Sequence, residues 1–254
     1  MSELICRAWN EYLKWPAPTW RIRGYCEVPM GNLTLRFAPN GPPQVLWFCR
    51  ELRGRRWEIE VIRFIERNLL AGQVFVDVGA WVGPYSIFAG ELVGPSGKVY
   101  AFEPDAAARR SLEQNCRLNN IDNVEVSPLA ISVSSAGATL SYPFSPKLQP
   151  IQCTSMSMLS VDPNAPGEKI PTISLDDFFA EIGVIPDMVK IDVEGHEEEV
   201  VEGGRRIISN PSVAIIIETH SDILRERAID NDFLRKLDRK AMQLDRNHLV
   251  LTKG

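Results

Sequence analysis

The chain lacks the patterns that would make several functional classes readable. Its five cysteines (Cys6, Cys26, Cys49, Cys116 and Cys153) are scattered and odd in number, with no C-x-x-C pair. Their spacing therefore supports neither a zinc site nor a disulfide framework. A reducing cytoplasm is the expected location. No basic-then-apolar leader opens the sequence, and no apolar run approaches the ~20 residues needed to cross a bilayer, so no membrane span is expected. Basic charge is not in excess either. The 28 Lys and Arg against 33 Asp and Glu leave a net charge of −5, which provides no global field for nucleic acid. The phosphate loop G-x-x-x-x-G-K-[ST] is missing, so no triphosphate cradle is expected. Repeats and low-complexity tracts are absent.

What is present is one sizeable α/β pattern, for which 254 residues suffice. Its most informative part is Val74-Phe-Val-Asp-Val-Gly-Ala-Trp-Val-Gly83, followed by Val99-Tyr-Ala-Phe-Glu-Pro104. An apolar β-branched run stops at glycines, a helical pattern follows, and a second apolar run ends on a carboxylate. A parallel sheet builds a nucleoside site in this way, at the carboxyl ends of its first two strands, with Glu103 placed for ribose hydroxyls. Trp81 and Pro84 occupy two of the three glycine positions of the dinucleotide fingerprint, which argues against a pyrophosphate. The remaining pattern, Asp77-x-Gly79-x-x-x-Gly83 with an acidic second strand, suits a ligand with a ribose, an adenine and a charged amino-acid tail. S-adenosylmethionine is such a ligand. Asp77 would face its ammonium, and Gly79 would leave room for the chain.

These segments carry a resemblance. From about Glu58 to Gly254 the chain resembles the FkbM family of S-adenosylmethionine-dependent methyltransferases. The resemblance lies in Phe75-Val-Asp-Val-Gly-Ala80, Gly97-Lys-Val-Tyr-Ala-Phe-Glu-Pro104, Asn115-Cys-Arg-Leu-Asn119, Ser174-Leu-Asp-Asp177 and, most specifically, Lys190-Ile-Asp-Val-Glu-Gly-His-Glu197. It implies a class I methyltransferase fold and transfer to a hydroxyl oxygen of a sugar, glycolipid or secondary metabolite. The expected cofactor set is Asp77, Gly79, Ala80, Trp81, Gly83, Glu103, Pro104, Ala130 and Asp192. Trp81 is a departure, because the family usually has Asn after Gly-Ala.

Residues 1–57 form an N-terminal extension that holds five of the six tryptophans and the turn-rich stretches Trp15-Pro-Ala-Pro-Thr-Trp20 and Ala38-Pro-Asn-Gly-Pro-Pro43. Asn32-Leu-Thr-Leu-Arg-Phe37 alternates like a strand within it. The aromatic density suits packing of a small appendage, or else a lid or homodimer contact. The Arg53-Gly-Arg-Arg56 cluster could meet an anionic acceptor or form a solvated face. Residues 58–254 form the cofactor-binding domain. Trp57 to Leu70 has helical spacing. Strands are expected at 74–78, 98–102, 124–131, 188–193 and 213–218, with an edge strand at 139–144. Helices are expected at 84–92, 105–119, 196–208 and 221–237. The segment 145–169, rich in Pro, Ser and Met, reads as a substrate lid or a disordered loop. The last residues, 242–252, suggest a terminal hairpin. The overall expectation is a doubly wound, Rossmann-like, mostly parallel seven-stranded sheet with an antiparallel edge hairpin.

The sulfonium methyl is already activated, so alignment matters most, and a base assists when the acceptor is an alcohol. Asp192, Glu194 and His196, at the acid-rich end of the fourth strand, are the catalytic candidates. Alternation would put Asp192 and Glu194 on one side of the chain. Each has a structural alternative in orienting amides or capping the following helix. Glu218 and His220 form a second-rank pair, and His248 reads as structural. Asp192, Glu194 and Glu218 could converge on a metal, but metal-independent transfer is favoured. Transfer to nitrogen or to a protein or peptide, a cofactor-binding module without turnover, and, more distantly, an NAD-dependent oxidoreductase stay open on the residues alone.

Overall fold

The runs Val74–Val78 (β3), Met188–Ile191 (β11) and Ala214–Glu218 (β12) are almost wholly apolar because helices cover both faces of their sheet. They are seen in a computed structural model that describes residues 23–39, 44–141, 158–162, 164–219, 239 and 241–252. Lys98–Phe102 (β4) and Val124–Ser127 (β5) extend this sheet on one side. The hairpin of Ala241–Gln243 (β13) and His248–Leu251 (β14) closes the other. The order is β13-β14-β12-β11-β3-β4-β5, parallel from β12 to β5 and antiparallel at the hairpin. This is the expected α/β sheet, and reversal of the winding between β3 and β11 opens a crevice at their carboxyl ends.

Helices Ile59–Asn68 (α2), Pro84–Val93 (α3) and Ala106–Leu118 (α4) pack on one face, where Val61, Ile65, Phe88 and Leu112 join the first buried cluster. On the other face lie Leu175–Ile182 (α5), Glu197–Gly203 (α6) and Arg205–Ile208 (α7), built around Leu175, Phe179, Val200 and Ile208. Pro84 occupies the first turn of α3, where its missing N–H costs nothing. The Asp105 carboxylate caps α4 by accepting the Ala107 and Ala108 N–H groups.

Cys26–Met30 (β1) and Leu33–Phe37 (β2) form an antiparallel hairpin, followed by Gln44–Arg53 (α1). Val28, Leu35, Phe37, Phe48 and Leu52 share one buried cluster with Phe75 and Val99 of the main sheet. Asn115 of α4 and Asn119, its C-cap, hold the hairpin. Asn119 accepts the Arg36 N–H at 2.8 Å and donates to the Arg36 carbonyl at 2.7 Å, as a neighbouring strand would. The Asn115 Oδ1 accepts the Ala38 N–H at 2.8 Å, and its Nδ2 donates to the Val82 carbonyl at 2.9 Å. Trp9, Trp15 and Trp20, part of the aromatic-rich extension for which packing, a lid or a homodimer contact is expected, lie outside the described residues.

Several expected boundaries are corrected. The third strand ends at Ser127 rather than running to Ile131, since Pro128 cannot donate to the ladder. Ala130–Ile131 (β6) pairs instead with Thr172–Ile173 (β10). Ala138–Ser141 (β7) is not an edge of the main sheet. It is the middle strand of a small antiparallel sheet with Met158–Ser160 (β8) and Glu168–Ile170 (β9). Part of the expected lid segment is therefore strand, and residues 142–157 and 163 lie outside the described residues, as do His220 and the helix expected at 221–237. The helix expected over 196–208 is divided at Gly204. Among the described residues, no helix is long and apolar enough to cross a membrane.

Candidate active site

The turn after β3 is shaped by a close approach. Gly79 lies at φ +81°, and a β-carbon built there would fall 1.8 Å from the Asp192 carbonyl oxygen. Only glycine meets both conditions. The N–H groups of Gly79 and Ala80 both donate to the Phe102 carbonyl at 3.0 Å, and the Asp192 N–H donates to Val78 O at 3.0 Å. The turn is thus tied to the ends of both neighbouring strands.

Glu103 stands just past β4 and is 6% exposed. Its Oε2 accepts the Trp81 N–H and its Oε1 the Asp105 N–H, each at 2.8 Å. Burial pushes its carboxyl up to about 7, against the lowering effect of those two backbone donors. Each oxygen keeps a second lone pair for a further donor. Asp77, near the end of β3, is buried, with Oδ2 accepting the Ser86 hydroxyl at 2.6 Å. Its Oδ1 is buried without a hydrogen bond. Burial raises the Asp77 carboxyl, and Lys190 opposes this. A nucleoside that carries positive charge fits this set: the Gly79 cradle, the twice-anchored carboxylate and the unsatisfied acceptor.

Lys190, the first residue of the Lys190–Glu197 motif, organises the centre. It is directly paired with Asp77 in the β3–β11 register and is 2% exposed. Its Nζ lies 3.0 Å from Asp192 Oδ2 and 4.7 Å from the Tyr85 ring centroid. Burial alone would lower its pKa, but the carboxylates of Asp192, Asp77, Glu58 and Glu218 reverse this and raise it. A lone lysine in an apolar central strand was the signal available in the sequence.

The other catalytic candidates fall in different surroundings. β11 ends at Ile191, and Glu194 adopts a left-handed φ of 52°, so strand alternation does not extend to the Asp192–Glu194 pair. His196 is 3% exposed, its Nε2 3.0 Å from Ser132 Oγ and its Nδ1 3.6 Å from Glu199 Oε2. Burial lowers its pKa, against Glu199 and Glu197. This Ser-His-Glu arrangement is interior, with Ser132 2% exposed, and it ties β6 to α6.

Trp81 also sits in the left-handed region, at φ 50°. Asn tolerates that conformation better than a bulky residue does. Here the indole packs edge-on against Phe48 of α1, with centroids 5.6 Å apart. Phe48 in turn meets Phe37 and Trp57, and Trp57 meets Tyr85. The departure from the family pattern thus coincides with an aromatic contact from the N-terminal segment. Among the other cofactor candidates, Gly83 is the left-handed N-cap of α3, and the Pro104 carbonyl accepts Arg109 Nη1. Ala130 is buried in β6, its N–H donated to the Pro171 carbonyl.

A second group was not foreseen. A helix that feeds β3 must begin at the opposite edge of the sheet, so Glu58, at the start of α2, reaches the carboxyl ends of the strands. The Tyr85 hydroxyl donates to Glu58 Oε2 in a short hydrogen bond. The β12–β14 register places Glu218 opposite His248. His248 Nε2 lies 3.4 Å from Glu218 Oε2 and 3.6 Å from Glu58 Oε2, while its Nδ1 meets Asp245 Oδ1 at 2.8 Å. Burial would lower this histidine, but Glu218 and Glu58 carry it to about 10. His248, read from the sequence as structural, thus stands among the carboxylates of the crevice. The metal grouping considered from the sequence, Asp192, Glu194 and Glu218, is replaced geometrically by Glu58, Glu218 and His248, whose ligand atoms all lie within 4.8 Å of one another.

The arginine cluster of α1 is engaged locally. Arg56 pairs with Glu51 at 2.8 Å, and Arg53 Nε donates to the Glu27 carbonyl at 2.8 Å.

Comparison with known proteins gives this geometry a family. The chain is 29% identical over 207 residues to the hexuronic acid methyltransferase AglP of Haloferax volcanii, a match that covers 81% of this chain and 78% of that protein. A probable cobalt-precorrin-6B C(15)-methyltransferase of Sulfolobus acidocaldarius is 39% identical over 69 residues, 27% of this chain and 36% of that one. The crystal structure of a methyltransferase FkbM from Methylobacillus flagellatus superposes with a TM-score of 0.47 at 19% identity, covering 70% of this chain and 42% of that one. Residues 77–243 match the methyltransferase FkbM domain. The chain belongs to the methyltransferase FkbM domain family and is an S-adenosylmethionine-dependent methyltransferase.

Proposed function

We propose that the enzyme transfers the methyl group to a hydroxyl oxygen of a sugar or sugar-containing metabolite, with a hexuronic acid as the first class to test. The observation that carries this reading is the pairing of buried Lys190 with the partly exposed Asp192 carboxylate at the carboxyl end of β11, beside the Gly79 turn. Similarity to a hexuronic acid methyltransferase supports the acceptor class. When bound, S-adenosylmethionine supplies an electrophilic methyl. Glu103 would accept hydrogen bonds from its ribose hydroxyls, Gly79 would admit its chain beside the Asp192 backbone, and Asp77 would answer its ammonium with the unsatisfied Oδ1. Asp192, whose side chain is 25% exposed, accepts the hydroxyl proton, and Lys190 fixes the carboxylate for that task. Glu194 and His196 shape the turn that presents it. The proposal includes a reducing, cytoplasmic setting, supported by Cys26, Cys49 and Cys116 as buried free thiols.

The test is incubation with methyl-labelled S-adenosylmethionine and a panel of uronic acids, neutral sugars, amines and peptides. Label on a sugar oxygen is expected, with turnover at least tenfold lower in Asp192→Asn and cofactor affinity little changed. Label confined to nitrogen or peptide would replace the acceptor, and full turnover in Asp192→Asn would remove the base.

A further inference from the structure

We infer that Glu58, Glu218 and His248 form a binding site for one divalent cation of borderline softness, with Zn2+ or Mn2+ as the occupant. The donor set is one imidazole nitrogen and two carboxylate oxygens, a mixture that suits such ions better than Mg2+ or Ca2+. The three residues come from the start of α2, the end of β12 and the start of β14, so the fold brings them together from distant parts of the chain.

The two nitrogens of His248 are treated differently, and the difference carries the argument. Nδ1 makes a close contact of 2.8 Å with Asp245 Oδ1, the length of an ordinary charge-assisted hydrogen bond. That is the carboxylate–imidazole arrangement which orients a metal-binding histidine through its far nitrogen. Nε2 is buried and in ion-pair range of two carboxylates, without hydrogen-bond geometry to either. Its separations of 3.4 Å and 3.6 Å are too long for charge-assisted hydrogen bonds. They match instead the ~3.4 Å between two atoms that ligate one ion tetrahedrally at ~2.1 Å.

The surroundings favour a cation. Asp77, Asp192, Glu58, Glu218 and Asp245 place five carboxylates around Lys190 and His248, the two cationic groups among the residues described above. Tyr85 donates its hydroxyl to Glu58 Oε2 and so fixes that carboxylate from behind. Three protein ligands leave coordination positions for water. On the reading of function given above, a hydroxyl of the acceptor would take one of them, and the cation would make that hydroxyl more acidic.

Metal binding is measured without cofactor or acceptor, so its failure is distinguishable from failure of the acceptor assignment. The full chain, freed of metal with a chelator, is titrated with Zn2+, Mn2+ and Mg2+ in a calorimeter at pH 8. One equivalent of Zn2+ or Mn2+ should bind with micromolar or tighter affinity, Mg2+ at least tenfold more weakly. His248→Ala should weaken binding at least 100-fold and Glu58→Gln at least tenfold. Co2+ loaded into the wild-type chain should give the visible bands of a nitrogen–oxygen site, a readout that needs no variant. Absence of stoichiometric binding by the wild-type chain would overturn the site. So would affinity unchanged in whichever of the two variants retains its circular dichroism.

Discussion

Gly79 and the Asp192 carbonyl are in such close contact that the glycine turn and the acid-rich strand end have to be built together. A β-carbon at Gly79 would overlap the Asp192 oxygen at 1.8 Å and would sit on a backbone at φ +81°. Gly79→Ala should therefore cost more than about 2 kcal/mol of stability and abolish measurable cofactor binding. Urea unfolding and calorimetry check both effects. An unchanged midpoint would show that the contact yields easily.

Glu103 should link cofactor binding to pH. Burial holds its carboxyl up to about 7, above the ordinary glutamate value of 4.5. The folded chain therefore keeps this proton where the unfolded chain has lost it, and the stability contributed by Glu103 falls as pH rises from about 4.5 to about 7. Donors from a ribose favour the ionised form. Binding should release a proton near pH 6.5, and affinity should rise from pH 6 to pH 8. Calorimetry in buffers of different ionisation heat measures the release, and Glu103→Gln should remove it.

Lys190→Met should leave Asp77 and Asp192 without their buried cation. Removing one partner of a buried pair costs about 3–5 kcal/mol. In the variant Asp77 loses the cation that lowers its carboxyl pKa, so the loss applies where that carboxylate is ionised and shrinks on acidification. Unfolding at pH 7.5 and pH 4.5 should show the larger deficit at the higher pH. Equal deficits would mean that packing on Tyr85, and not charge, is what Lys190 provides.

Trp81→Asn separates backbone from side chain. Asn accepts the left-handed conformation more readily, which returns about 1 kcal/mol, while loss of the partly buried indole against Phe48 costs about 2–4 kcal/mol. A net loss of stability is expected, with cofactor affinity within tenfold of wild type, because the Glu103 contact uses the Trp81 backbone N–H. A stability gain would show that the indole is strained in place.

The sheet order was legible because buried parallel strands are apolar runs and their turns carry glycine and acid at set places. The carboxyl-edge positions of Asp77, Glu103 and Asp192 follow from that pattern alone. Two N-terminal elements were legible but unread. Val45, Phe48, Cys49 and Leu52 have helical spacing beneath a conspicuous arginine cluster, and Cys26, Val28 and Met30 alternate around Pro29, which an edge strand tolerates. Glu58 and His248 could not be assigned from local pattern. Their meeting depends on the direction of α2 and on the β12–β14 register, which are tertiary facts.

The Asn115 side chain joins the Ala38 N–H to the Val82 carbonyl across one planar amide. Such a group has no slack: whatever loosens the hairpin frees a backbone acceptor inside the glycine turn after β3 at the same moment. Order in the N-terminal segment and competence of the ligand face should accordingly melt as a single cooperative unit, although that segment precedes residues 77–243, the part shared with the family.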